Sequence, residues 1–330
     1  MKTLLSILLT LAVSPAIASA ADLTIYTYDS FASEWGPGPR VEAAFESRCG
    51  CDIELVGLAD GVALLNRLKI EGSGSDADIV LGLDTNLTAE ARATGLFRDH
   101  GIDTDSLTLP IDWTDSKFLP YDFGYFAFVY NTEKLSSPPK SLKALVEDTD
   151  GPTVIIQDPR TSTPGLGLLL WFRHVFGDDA ATAWGQLAPR IVTVTKGWSE
   201  AYGMFLKNEA PMVLSYTTSP AYHQIAEQNS RFAAARFDEG HYLQVEVAGM
   251  LESSNNPTLA REFLRFMLDE TFQEIIPTSN WMYPAALPES KLPQEFNALI
   301  DPQPVQFFDD ETVAANRRAW IDEWLEALSR

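Results

Sequence analysis

Residues 153–176, TVIIQDPRTSTPGLGLLLWFRHVF, pass from a strand through a polar loop into a helix in one unbroken run. TVIIQ (153–157) is short, apolar and β-branched, whereas LGLLLWFRHVF is long enough to be a helix lying on a sheet. In the loop between them, Ser162 or Thr163 can cap the helix and Pro164 suits its first position. Gly165 and Gly167 admit close backbone approach. Free N–H groups at such a helix start favour an oxygen-rich or anionic group. The same residues also describe an ordinary well-capped helix, and no Gly-Lys-Ser/Thr follows, which excludes a phosphate-binding P-loop.

The same unit recurs on both sides. LTIYTY (23–28) reads as a strand, then the Gly/Pro-rich loop SEWGPGPR leads to a helical run through Phe45. DIELVGL (52–58) ends at Asp60-Gly61, before the helix VALLNRLKI. ADIVLGL (77–83) is nearly continuous apolar sequence, as in a parallel strand covered on both faces. IVTVT (191–195) ends in KGW, with Ser199 as a candidate N-cap, and PMVLSY (211–216) ends in TTSPAYH. This alternation predicts α/β domains with mainly parallel sheets, and 330 residues suggest two of them at roughly 100–200 residues each.

YDFGYFAFVYN (121–131) and GHYLQVEVAGM (240–250) read as two connections between the domains, so that the first domain draws on both ends of the chain. The final segment, with Val313, Trp320, Ile321, Trp324, Leu325 and Leu328, is predicted to be an amphipathic helix on that first domain.

The opening twenty residues carry Lys2, an apolar core from Leu4 to Val13, and an Ala18-Ser19-Ala20 cleavage pattern, which predicts a signal peptide over 1–20 and export to the periplasm. The apolar core is about half of the ~20 residues a bilayer requires, so it is not read as an anchor. With 24 basic against 46 acidic residues the net charge is −22, which argues against nucleic acid or an anionic membrane as partner. Cys49 and Cys51 are the only cysteines; in an oxidising compartment a structural disulfide between them is expected. The four histidines are scattered, without metal-ligand spacing.

In open α/β sheets ligands bind beyond the carboxyl ends of strands. Those ends here are Tyr28-Asp29, Asp60-Gly61, Asp84, Ser162-Thr163, Trp198 and Tyr216 to Ser219. Trp198, Tyr216, Tyr222 and Trp281 form an aromatic set suited to a flat cationic heterocycle, and Asp60 can balance its charge. Catalytic motifs are absent: there is no G-x-S-x-G and no H-E-x-x-H. A ferric-ion site using Tyr216 and Tyr222, or a polyamine site, is the alternative.

Beyond these readings, the blocks IYTYDSFASEWGPGP, DGVALLNRL, FGYFAFVYN, QDPRTSTPGLGLLLW, TVTKGWSEAYG, VLSYTTSPAYH, GHYLQVEVA and NWMYP resemble the thiamine-binding periplasmic proteins, solute-binding components of bacterial ATP-binding-cassette importers. The resemblance covers essentially the whole chain after residue 20. It implies a periplasmic-binding-protein fold of the second type, two lobes of mainly parallel sheet with flanking helices on a two-segment hinge. Lobe 1 would be 21–120 with 245–330, lobe 2 would be 121–244, and the hinge would lie near 120–126 and 240–246. It implies ligand contacts at Asp60, Gly61, Ser162, Thr163, Trp198, Tyr216, Thr217, Thr218 and Ser219, with Tyr28, Tyr222 and Trp281 as further contacts. The implied ligands are thiamine, thiamine monophosphate and thiamine diphosphate, passed to an inner-membrane permease, with no cofactor and no catalysis. The ligand's rings are expected on the aromatics, its positive charge at Asp60 and its tail at Ser162-Thr163. Thiamine-cleaving enzymes share this fold type, but they need a cysteine nucleophile, and Cys49 and Cys51 lie at no cleft-facing strand end.

Overall fold

The computed structural model describes residues 21–329; the expected signal peptide lies outside them. The first three strands are β1 (Leu23–Tyr28), β2 (Ile53–Leu58) and β3 (Ile79–Asp84), with β1 parallel to both neighbours. β4 (Phe118–Asn131) is long, and β5 (Val154–Gln157), β6 (Ile191–Thr195) and β7 (Met212–Tyr216) form a second parallel set. β8 (His241–Leu251) returns to the first set. The order is β2-β1-β3-β8-β4-β7-β5-β6, and short two- and three-residue strands add to β4 and β8. Parallel strands need long crossovers, and the helices supply them: α1 (Gly38–Cys49), α2 (Gly61–Glu71), α3 (Thr88–Ala93), α4 (Thr163–Phe176), α5 (Ala180–Leu187), α6 (Trp198–Leu206) and α7 (Ser219–Ala226).

The segments read from sequence as connections are the two middle strands. β4 pairs with β8 from Phe118 to Tyr125, then changes partner and pairs with β7 from Phe126 to Tyr130. Both pairings are antiparallel, so two parallel sets are joined through an antiparallel centre. At the change of partner the Phe126 ring fills the space over Gly167, where a Cβ would stand 1.9 Å from it. A Cβ on Gly165 would meet the Gln157 carbonyl oxygen at 2.6 Å. The two glycines therefore let α4 lie tightly on the sheet, which is a packing role.

The last helix, α8 (Asp310–Leu328), departs from expectation. It does not stay on the first set. Trp324 meets Trp184 of α5 edge-on at 6.4 Å, and Glu323 pairs with Arg173 of α4 at 3.4 Å. At the other flank Arg317 pairs with Glu90 and Asp310 with Arg92, both on α3. An amphipathic pattern gives the buried face of a helix but not its partner, and α8 spans both halves.

Candidate functional site

Between the two halves lies a cavity of about 500 Å³. Its walls come from strand ends and helix starts. Tyr28 closes β1, Asp60 precedes α2, Trp198 opens α6, Tyr216 closes β7, and Ser219 opens α7. Tyr222 and Trp281 complete the expected lining. Of the twelve residues anticipated, these seven reach the cavity.

The other five stand behind the wall. Gly61 sits where a Cβ would meet the Gly82 carbonyl oxygen at 2.3 Å and Thr163 Oγ1 at 2.4 Å, so only glycine permits that approach. Ser162, Thr163, Thr217 and Thr218 are buried and do not line the space. Ser162 caps α4, accepting from Gly165 N, and its Oγ donates to Asp60 Oδ2 at 2.7 Å. Asp60 in turn accepts from Gly61 N at 2.9 Å and caps α2. One hydroxyl thus ties the second half to the carboxylate of the first. Ala63 N donates to the Thr161 carbonyl and Asn66 Nδ2 to that of Arg160, so the halves touch along this edge.

The aromatic residues are held from behind. Trp198 stacks on Tyr202 at 4.9 Å, and its Nε1 donates to Ser215 Oγ at 2.8 Å. Ser215 Oγ is hydrogen-bonded to Ser219 Oγ at 2.8 Å, and the latter also accepts from Tyr216 N. Trp35 stands 6.4 Å from Trp198 across the mouth, 57% exposed. Trp281 lies edge-on to Tyr222 at 5.2 Å. Its backbone has φ 59°, a left-handed conformation that costs a tryptophan roughly 1–2 kcal/mol. Such strain persists where the surrounding structure holds a side chain in place for a purpose.

The floor is acidic. Asp60 is pushed above the ordinary carboxylate range by burial, against its bonds from Ser162 and Gly61. Glu246 is also raised by burial, opposed by hydrogen bonds from the Tyr28 and Tyr121 hydroxyls. Asp122, fully buried, goes well above the usual range through burial and the charge of Glu246. Asp84 reaches about 7, again chiefly by burial, with Asn86 opposing. No lysine or arginine lines the cavity among the described residues. Aromatic faces over uncompensated carboxylates suit a flat cation.

Trp35, Tyr202, Glu246 and Asn280 were missed from sequence. Trp35 stood in SEWGPGPR, read only as a loop. Glu246 was visible as the one carboxylate in the otherwise buried strand HYLQVEVAGML, a costly placement that itself signals a site.

The metal and enzyme alternatives lose their key residues. Tyr216 donates to Gln244 and Tyr222 to Glu227, so the two phenols turn to separate partners. Burial and the nearby carboxylates push Tyr216 well above its ordinary value, opposite to what a tyrosinate ligand needs. Cys49 and Cys51 are joined in a disulfide between α1 and β2, outside the cavity lining.

A family model described as bacterial extracellular solute-binding protein matches residues 35–274. The chain is 57% identical to a thiamine-binding periplasmic protein of Salmonella typhimurium over 98% of each chain. It is 54% identical to one of Brucella melitensis, covering 98% of this chain and 97% of that one. Among solved structures, a periplasmic thiamin binding protein superposes with a TM-score of 0.91 at 57% identity, over 93% of this chain and 96% of the other.

Proposed function

The chain belongs to the bacterial extracellular solute-binding proteins and, within them, to the thiamine-binding periplasmic proteins; from that premise we propose that it captures thiamine in the cavity between its halves for delivery to an ATP-binding-cassette permease of the inner membrane. One observation carries the reading: aromatic faces surround a floor of buried carboxylates with no lysine or arginine among the lining residues. Thiamine is a flat aminopyrimidine joined to a cationic thiazolium, and it supplies what that cavity lacks.

Ligand contact is assigned to Tyr28, Asp60, Trp198, Tyr216, Ser219, Tyr222 and Trp281, with Trp35 closing the mouth. Gly61, Ser162, Thr163, Thr217 and Thr218 act from behind this layer. The monophosphate and diphosphate are taken as further ligands. Ser199 and Ser219 line the cavity in the first turns of α6 and α7, whose N-caps make no side-chain hydrogen bond. The first-turn N–H groups of α6 suit a phosphorylated tail, whereas α7 offers fewer, since Pro220 has none and Ala221 N donates to the Thr218 carbonyl. Capture proceeds by closure of two lobes, 21–120 with 245–330 and 121–244, about the middle of β4 and the start of β8. The closed form is what a permease would read. The protein acts in the periplasm after removal of residues 1–20, and it is a carrier without catalysis, both sulfurs being tied in a bond away from the ligand.

Native mass spectrometry of protein unfolded, stripped and refolded tests this against equimolar thiamine, spermidine and ferric citrate. A single 1:1 thiamine adduct is expected. An adduct with spermidine or iron in its place sinks the reading. Protein recovered from a periplasmic fraction should begin at Ala21.

A further inference from the structure

Three carboxylates stand side by side on adjacent strands: Asp84 on β3 is the cross-strand partner of Glu246 on β8, and Glu246 is that of Asp122 on β4. Directly opposed residues have Cβ atoms about 4.5–5.5 Å apart, and like charges so placed destabilise a sheet. Asp84 and Asp122 are fully buried, and only Glu246 reaches the cavity.

The hydrogen bonds around the row are not evenly shared. Glu246 Oε2 accepts from Tyr28 Oη at 2.8 Å and Tyr121 Oη at 2.9 Å, and Oε1 accepts from Gln244 Nε2 at 2.9 Å. Asn280 Nδ2 adds a longer contact at 3.4 Å. Asp122 receives Asn280 Nδ2 on Oδ2 at 2.7 Å, while its buried Oδ1 has no hydrogen-bond partner among the described residues. Asp84 is served by Asn86 alone, through backbone and side chain. Donors therefore converge on Glu246, which marks it as the ionised member of the row. None of those donors is a cation. A buried carboxylate with neutral donors only is costly until a positive charge arrives.

We infer that Glu246 is the counter-ion by which the cavity selects a cationic ring over a neutral ring of the same shape. Asp60 holds the seam between the halves, capping α2 and receiving Ser162; among the described residues Glu246 makes no bond to the second half beyond the hinge strands and is left to face the ligand. This deepens the thiamine reading and rests on it.

The test uses two ligands and one substitution. Calorimetry compares thiamine with its uncharged isostere, in which thiophene replaces thiazolium, on wild type and on Glu246→Gln. Two unit charges about 5 Å apart at the effective dielectric of a protein site support a preference on the order of a hundredfold. Wild type should prefer thiamine, and Glu246→Gln should lose tenfold or more for thiamine while changing the isostere less than threefold. Equal losses for both ligands, or an unchanged preference in the variant, overturn the inference. Wild type that binds neither overturns the thiamine reading itself, a different result from a lost preference. Should Glu246→Gln fail to fold, Tyr121→Phe carries the test: it removes one donor to Glu246 from outside the cavity, and it should weaken thiamine and spare the isostere. Tyr121→Phe that shifts both ligands alike also overturns the inference.

Discussion

Gly197→Ala should leave the ligand-free protein folded and weaken its hold on thiamine. Gly197 precedes α6 with φ −160°, extended backbone that alanine adopts without strain. A Cβ placed there would meet the Ala59 carbonyl oxygen at 2.7 Å, the Ala59 carbonyl carbon at 3.5 Å and the Ala59 Cβ at 3.9 Å. All three atoms belong to the other half of the molecule. The methyl group is therefore a wedge between the halves, its three nearest neighbours all being atoms of Ala59. Relieving such an overlap requires the edges to part by several tenths of an ångström, and overpacking of this kind typically costs about 1–3 kcal/mol. Under the proposed closure the contact exists only when the halves meet, so the cost is expected as a roughly 5- to 150-fold weaker affinity. Calorimetry gives the affinity, and thermal unfolding without ligand gives the control, expected within a degree or two of wild type. Wild-type affinity in the variant would refute the contact or the need for closure. Equal losses of affinity and ligand-free stability would show that the edge is part of the folded core rather than a gate.

Three further outcomes are expected. Ser162→Ala removes the hydroxyl that holds Asp60 across the halves; a hydrogen bond to a charged group is worth about 1.5–3 kcal/mol. Thiamine and its phosphates should therefore weaken together by about tenfold or more in calorimetry, and a loss confined to the phosphates would return Ser162 to the ligand tail. Trp198→Ala removes a wall that stacks on Tyr202 and bonds Ser215, and titration should find every form of the ligand weaker, by roughly 0.5–2 kcal/mol from the cation–π contact alone. Asp84 gives a pH signature. Its folded value of about 7 lies above the ordinary carboxylate value, so the folded state keeps a proton that the unfolded chain releases. Its contribution is then most favourable below about pH 4, declines between about 4 and 7, and levels off above, by as much as about 4 kcal/mol. The denaturation midpoint of ligand-free Asp84→Asn should gain on wild type as pH rises through that window; a pH-independent difference would contradict it.

Much of the fold was legible because strand and helix periodicities are local. LTIYTY became β1 with the same bounds, and IVTVT became β6. What escaped was long-range. Residues 121–131 and 240–250 read as connections between domains, but no local pattern records that they pair with each other or that Phe126 leaves β8 for β7. The docking of α8 across both halves depends on Trp184 and Arg173, far away in sequence. The site was partly legible through the rule that strand ends bind ligands, which found Tyr28, Asp60, Trp198 and Tyr216. That rule passes over Glu246, which lies within a strand and reaches the cavity because β8 runs through the centre of the sheet. It also stopped at residue type for Ser162, whose hydroxyl turned out to serve Asp60.

The most direct measurement is a tryptophan-fluorescence titration of stripped and refolded protein with thiamine. Trp35, Trp198 and Trp281 line the cavity, so a stacked thiazolium should quench emission saturably, at 1:1 stoichiometry and with a dissociation constant below about 1 μM, near −8 kcal/mol. A flat curve from folded protein would contradict the account, because a cation held among these rings cannot leave all three unchanged.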